Sequence, residues 1–142
     1  NFLCDQRQDY DKAEEYYQRA IEADPKDANN LGNYANFLCD QRQDYDKAEE
    51  YYQRAIEADP KDVRALGNYT VFLYEQRHDH DKTEEYLQKA LAVDPDCITN
   101  LENYAEYLED VCHDAKAAQE YRQRAEKLRT EQDKTTPSDK NS

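Results

Sequence analysis

Glycine is nearly missing from this chain of 142 residues: only Gly32 and Gly67 occur. Without a glycine-rich stretch there is no loop to cradle a phosphate. No apolar run approaches the roughly 18 residues of a membrane span, and no signal-peptide core is present. Basic residues are also in deficit, with 19 Lys+Arg against 33 Asp+Glu and a formal net charge of −14. Nucleic-acid binding rests on Lys and Arg neutralising phosphates, so that class is excluded, and anionic membrane surfaces are disfavoured. Such acidity favours Lys/Arg-rich partners, though it also keeps an elongated protein soluble. The four cysteines, Cys4, Cys39, Cys97 and Cys112, form no CxxC pair and no Cys/His set at zinc spacing. They read as reduced side chains of an intracellular, cytoplasmic protein.

What the chain has in abundance is itself. Residues 1–27 recur letter for letter at 36–62, and a third copy starts at Val71 and a worn fourth at Glu106, all 35 residues apart. A fixed period of this length marks a solenoid, in which each unit covers its apolar face only against its neighbours. Within residues 28–62, Leu31, Tyr34, Ala35 and Leu38 recur at helical spacing, with Phe37 beside them. Gln43-Asp44-Tyr45-Asp46 interrupts that stripe, and Asp44 or Asp46 can cap the helix that follows. Ala48, Tyr51, Tyr52, Ala55 and Ile56 then form a second stripe, which Asp59-Pro60 ends. The unit is a helix–turn–helix hairpin. Ala35, Ala48 and Ala55 allow close approach, and the tyrosines fill the spaces.

The motif Leu31-x2-Tyr34-Ala35-x2-Leu38…Ala48-x3-Tyr52…Pro60 resembles the tetratricopeptide repeat. The next copy reads Leu66-x2-Tyr69-Thr70-x2-Leu73…Thr83-x3-Leu87…Pro95. The last has Leu101, Tyr104, Ala105, Leu108 and Ala118, then Arg122 where an aromatic is expected. The resemblance implies an all-α, right-handed helical-hairpin solenoid. Its period is one residue longer than the family's, and the extra residue is placed in the inter-helix turn at Gln8, Gln43, His78 and His113. Pentatricopeptide repeats, which bind RNA, share the period but not the repeated Asp-Pro ending or the acidity. The expected organisation is a truncated repeat at 1–27, repeats at 28–62 and 63–97, a last repeat with a capping helix at 98–129, and a disordered tail at 130–142. The chain opens inside a repeat, so it is expected to be a piece of a longer one.

The resemblance also puts the first helix of each hairpin on the concave side. Its non-core positions are Asn29, Gly32, Asn33 and Asn36; then Arg64, Gly67, Asn68 and Val71; then Thr99, Glu102, Asn103 and Glu106. Asparagine recurs at Asn33, Asn68 and Asn103. An amide both donates and accepts, so such a row can pair with a peptide backbone without reading its sequence. The row resembles the asparagine ladder in the superhelix of O-GlcNAc transferase; equally, it can bond neighbouring repeats together. The carboxylate clamp of chaperone-binding members needs Lys and Arg here, and only Arg64 is basic. Glu102, Glu106, Glu109 and Asp110 crowd one helix, with the three glutamates on one face. They suit a Lys/Arg-rich segment or a solvated surface, and they have little compensation nearby in sequence. No nucleophile accompanies them, so no catalysis and no cofactor is expected. His78-Asp79-His80-Asp81 reads as turn polarity, not as a metal site.

The expected role is a non-enzymatic scaffold that binds a protein or peptide in its groove. Two other roles compete with it. One is a structural rod whose contacts run end to end. The other is an adaptor attached to an enzyme encoded upstream. Phe2 and Leu3 match Phe37 and Leu38 but lack a preceding half-helix, so the N-terminal end is expected to self-associate.

Overall fold

A computed structural model describes residues 2–135, apart from the side chains of residues 2 and 3. Among these residues there are seven α-helices and no strand. They are α1 (Phe2–Ala23), α2 (Ala28–Phe37), α3 (Tyr45–Ala58), α4 (Val63–Phe72), α5 (His80–Val93), α6 (Ile98–Asp110) and α7 (Ala115–Thr135). α2 packs on α3, α4 on α5 and α6 on α7, giving three hairpins. α2 also touches α4, and α4 touches α6, so these helices form an inner row. α1 lies against α2 at the open end of the array.

The starts of these helices follow from their sequence. Asp27 accepts from the Asn29 and Asn30 amides, and Asp62 from those of Arg64 and Ala65. Asp44 and Asp79 cap α3 and α5 through the Lys47 and Lys82 amides. Each cap satisfies donors that would otherwise lack partners and is worth about 1 kcal/mol. Cys97, in the place of Asp27 and Asp62, supplies no side-chain cap to α6.

Between the helices of a hairpin, the chain widens before it turns. Leu38–Arg42 and Leu73–Arg77 are π-helical turns that continue α2 and α4. Gln43, His78 and His113 then take left-handed φ values of 54°, 53° and 53°. The amides of Asp44, Asp79 and Asp114 reach back to the carbonyls of Leu38, Leu73 and Leu108. The extra residue of the 35-residue period is absorbed there, in a widened turn closed by a left-handed residue. Gln8 departs from this expectation. It lies inside the continuous helix α1, which has no turn.

The core is the stripe read from the sequence. Leu31, Tyr34, Ala35 and Leu38 are buried, as are Leu66, Tyr69, Thr70 and Leu73 in the next repeat. Ala48, Tyr52 and Ala55 close on them from α3. The tyrosines meet edge to face in each hairpin: Tyr34–Tyr51 at 4.6 Å, Tyr69–Tyr86 at 4.8 Å and Tyr104–Tyr121 at 4.8 Å between ring centres. Such pairs add about 0.5–1.5 kcal/mol to the gain from burial.

A polar clamp joins successive repeats. Tyr34 Oη donates to Glu14 at 2.9 Å, and Arg42 donates to Glu14 at 3.0 Å and to Asp11 at 2.5 Å. The same set recurs one repeat later, with Tyr69 and Arg77 on Glu49 at 3.1 and 2.9 Å and Arg77 on Asp46 at 2.5 Å.

α7 keeps Ala118 and Ala125 buried and is mostly exposed elsewhere, as a terminal helix requires. It continues through residues 130–135, where a disordered tail was expected to begin, and residues 136–142 lie outside the described part. The expected apolar end at Phe2 and Leu3 falls on side chains outside the described residues. No helix among the described residues is long and apolar enough to cross a membrane.

Candidate functional site

The inner row carries a chain of concavities. One is bounded by Asn29 and Gly32 of α2 and by Arg64 and Asn68 of α4. The next, of about 330 Å3, shares Arg64 and Asn68 and adds Val71, Asn100 and Asn103. A third shares Val71 and Asn103 and reaches Glu106. An acidic hollow of about 620 Å3 between α6 and α7 then shares Glu106 with it. Shared walls therefore link the α2 end of the row to the acidic α6 end.

The predicted residues have different tasks within this row. Asn68 and Asn103 are half-buried, line two concavities each, and make no side-chain hydrogen bond among the described residues. Asn33 accepts from Arg64 Nη2 at 2.6 Å, across from one repeat to the next. It thus shares the bonding of neighbouring repeats with Arg64, the one basic residue of the row. Asn29 is exposed at the start of α2. Asn36 is already bonded. Its Oδ1 accepts from the hydroxyl of buried Tyr52 at 2.5 Å, so it is occupied inside its own hairpin. Burial pushes the Tyr52 phenol well above its ordinary range, which keeps it a neutral donor to Asn36.

The acids of α6 are more compensated than their sequence neighbourhood suggests. Arg129 pairs with Glu102 and Arg122 with Glu109, both from α7. Asp110 accepts from Tyr74 Oη at 3.0 Å. Glu106 is exposed and has no such partner among the described residues. Arg122, which breaks the aromatic pattern, therefore serves the acidic face. The cancelling charges lie on the next helix, beyond any local reading.

Two features were missed from sequence. Asn100 is 2 % exposed, and its Nδ2 has no partner among the described residues. Its Oδ1 lies 2.7 Å from where a Cβ on Gly67 would stand, so Gly67 makes room for α6 against α4. Nothing comes within 4 Å of that place on Gly32, although both glycines sit in Leu-Gly-Asn-Tyr. The signal was present as Asn100 at a position where the preceding repeat has Ala65. The other missed feature is the cavity beside Leu87.

His78 is the left-handed turn residue, and Asp79 is the cap of α5. Among the described residues no group of three or more His, Cys, Asp or Glu is arranged to hold a metal ion.

Comparison with known proteins agrees with this geometry. The family model described as tetratricopeptide repeat matches residues 6–66 and 41–100. No curated protein matches the chain. Among solved structures, MamA 41-end from Desulfovibrio magneticus RS-1 is similar with a TM-score of 0.71 and 23% identity, over 89% of this chain and 70% of that one. MamA MSR-1 C2 is similar with a TM-score of 0.66 and 20% identity, over 87% and 69%. At these identities the likeness concerns the fold.

Proposed function

Since the chain belongs to the tetratricopeptide repeat family, we propose that it is a non-enzymatic protein-interaction scaffold whose inner row holds a Lys/Arg-rich segment of another protein. The observation that carries this reading is the continuous row of concavities from Asn29 to Glu106, with Asn68 and Asn103 left unbonded inside it. Free amides in a half-buried groove offer a peptide backbone both donors and acceptors. Glu106 and Asp110, which have no ion pair among the described residues, then bias the α6 end toward positive charge. Four free thiols fit an intracellular setting.

Fluorescence anisotropy with a labelled Lys/Arg-rich peptide tests the reading. Binding should weaken as salt rises, because exposed charges are screened within about 8 Å at physiological ionic strength. Asn68→Ala should weaken binding several-fold while helix content and melting temperature stay nearly unchanged. Equal binding of an acidic peptide would sink the proposal.

A second reading, end-to-end assembly as a rod, is favoured by one observation. Residues 2–23 and 37–58 are identical in sequence, so equivalent helices of two copies can exchange. Light scattering across a concentration series decides it, since a strict monomer at high concentration removes this reading.

A further inference from the structure

A cavity of about 100 Å3 opens between α4, α5 and α6. Val71, Tyr74, Glu75, Thr83, Leu87 and Tyr107 form most of its wall. The nearby hydroxyls are already committed. Thr70 donates to the Leu66 carbonyl at 2.8 Å and Thr83 to the Asp79 carbonyl at 2.7 Å. Val71, Leu87 and the rings of Tyr74 and Tyr107 therefore favour an apolar group, while Glu75, Asn103 and Glu106 leave part of the wall polar.

The repeat before it shows what fits this space. The counterpart of Leu87 is Tyr52, 35 residues earlier. The Tyr52 ring lies 5.2 Å from that of Phe72, the counterpart of Tyr107. Its hydroxyl is 2.5 Å from Oδ1 of Asn36, the counterpart of Val71. Cys39 and Asp40, the counterparts of Tyr74 and Glu75, both act electrostatically on that hydroxyl. Tyr52 thus fills the equivalent place in the repeat before. At the cavity Leu87 replaces the ring and Val71 its acceptor, while Tyr74 and Tyr107 are larger than their counterparts Cys39 and Phe72. At about 100 Å3 the opening is smaller than the roughly 150 Å3 apolar cavity that accepts benzene, so a ring entering it displaces wall side chains or stays partly outside.

We propose that this cavity is an anchor pocket for an aromatic side chain, presented by a segment that carries Lys or Arg beside the ring. Charge at the rim supports the second part. Glu75 and Glu106 are both exposed wall residues, and Glu106 has no ion pair among the described residues. Asn103, also at the wall, has its amide free for the backbone of the same segment. That the ring belongs to a peptide rests on the groove reading above. The pocket itself does not.

The test uses the full chain and two small probes, p-cresol (a ring alone) and tyramine (the same ring with an ammonium group). Titration followed by amide NMR should shift signals of residues 70–75, 83–87 and 103–107 with both. Tyramine should bind about threefold tighter at low salt, the two converging at high salt, as expected of a rim charge. Leu87→Tyr combined with Val71→Asn recreates the Tyr52–Asn36 pair. It should abolish both titrations and raise the melting temperature. Leu87→Phe, which brings the ring without the hydroxyl, gives an independent plug. The pocket is overturned if p-cresol shifts none of these amides, or if a folded plugged variant binds it as the wild type does. Equal affinity of the two probes at low salt overturns the basic neighbour. If p-cresol binds and plugging blocks it, but no basic peptide is captured by the wild type, the pocket stands and the groove reading falls.

Discussion

Residues 2–23 and 37–58 carry the same 22-residue sequence and take different shapes. The first copy is one unbroken helix. The second is the end of α2, a π-helical turn, a left-handed Gln43 and then α3. The local sequence therefore permits both outcomes, and packing selects between them. Holding a residue other than glycine in the left-handed region costs about 1–2 kcal/mol. In the second copy this is offset where Phe37, Leu38 and Cys39 become buried and Arg42 reaches Asp11 and Glu14. In the first copy Cys4, the counterpart of Cys39, is exposed, as are residues 5–9. The second halves of the two copies act alike. Tyr17 stacks on Tyr34 at 5.8 Å as Tyr52 stacks on Tyr69 at 6.0 Å.

The sharpest contrast should be chemical. Burial, with Asp40 beside it, pushes the Cys39 thiol up to about 11, whereas Cys4 is exposed. At pH 8 the Cys39 thiolate is then on the order of one in 10^3, and thiolate is the reactive form. Iodoacetamide should modify Cys4 on the order of a hundred times faster, as read by mass spectrometry of the two peptides. Equal rates would mean that the second copy also straightens in solution. The same burial has a pH consequence. The fold favours the neutral thiol, so this contribution is complete below the ordinary value of 9.0 and is lost as pH rises toward about 11. Tyr107, pushed up to about 12 chiefly by burial, acts in the same direction. The melting temperature should fall between pH 9 and 12, and a flat profile there would contradict the burial.

Next in size is the paired truncation of equivalent tyrosines. Tyr52→Ala should cost about 3–5 kcal/mol, since it opens a buried site and strands Asn36. Tyr17→Ala, at a half-exposed ring, should cost about half as much, measured by urea unfolding. Equal losses would mean that α1 is packed as tightly as α3.

The smallest effect changes sign between the copies. Gln43→Gly relieves a left-handed residue and should stabilise by about 0.5–1 kcal/mol. Gln8→Gly, inside α1, should destabilise by about 1 kcal/mol. If both variants stabilise the protein, α1 contains a turn after all.

These differences also mark how far the sequence could be read. The period, the Asp caps and the buried stripe were legible, because they depend on residue type and spacing alone. The turn at Gln8 was expected by analogy with Gln43, but the analogy omitted the partners that hold Gln43 in place. Asn36 was assigned to the groove with Asn33. Its acceptor is taken by the Tyr52 hydroxyl from the next helix, which spacing along one helix does not reveal. The acids of α6 looked uncompensated because Arg122 and Arg129 approach them only through the fold. The vacancy at Leu87 was visible as a broken aromatic pattern, but its depth needed the wall contributed by α4 and α6.

The repeating arginine clamp has a mechanical side. Arg42 and Arg77 each fasten one repeat to the acids of the helix before it, and the third position in that series is Cys112. At that junction the bonds that cross between α6 and α5 are neutral: Tyr107 Oη donates to the His80 carbonyl at 3.3 Å, and Tyr104 bonds Gln88. Without the ion pairs of the other junctions, the α5–α6 link is expected to be the weaker one under tension. A molecule stretched from its two ends should part there first, shedding α6 and α7 as a unit while the clamped links still hold. The order of rupture is thus written into one exchange of arginine for cysteine.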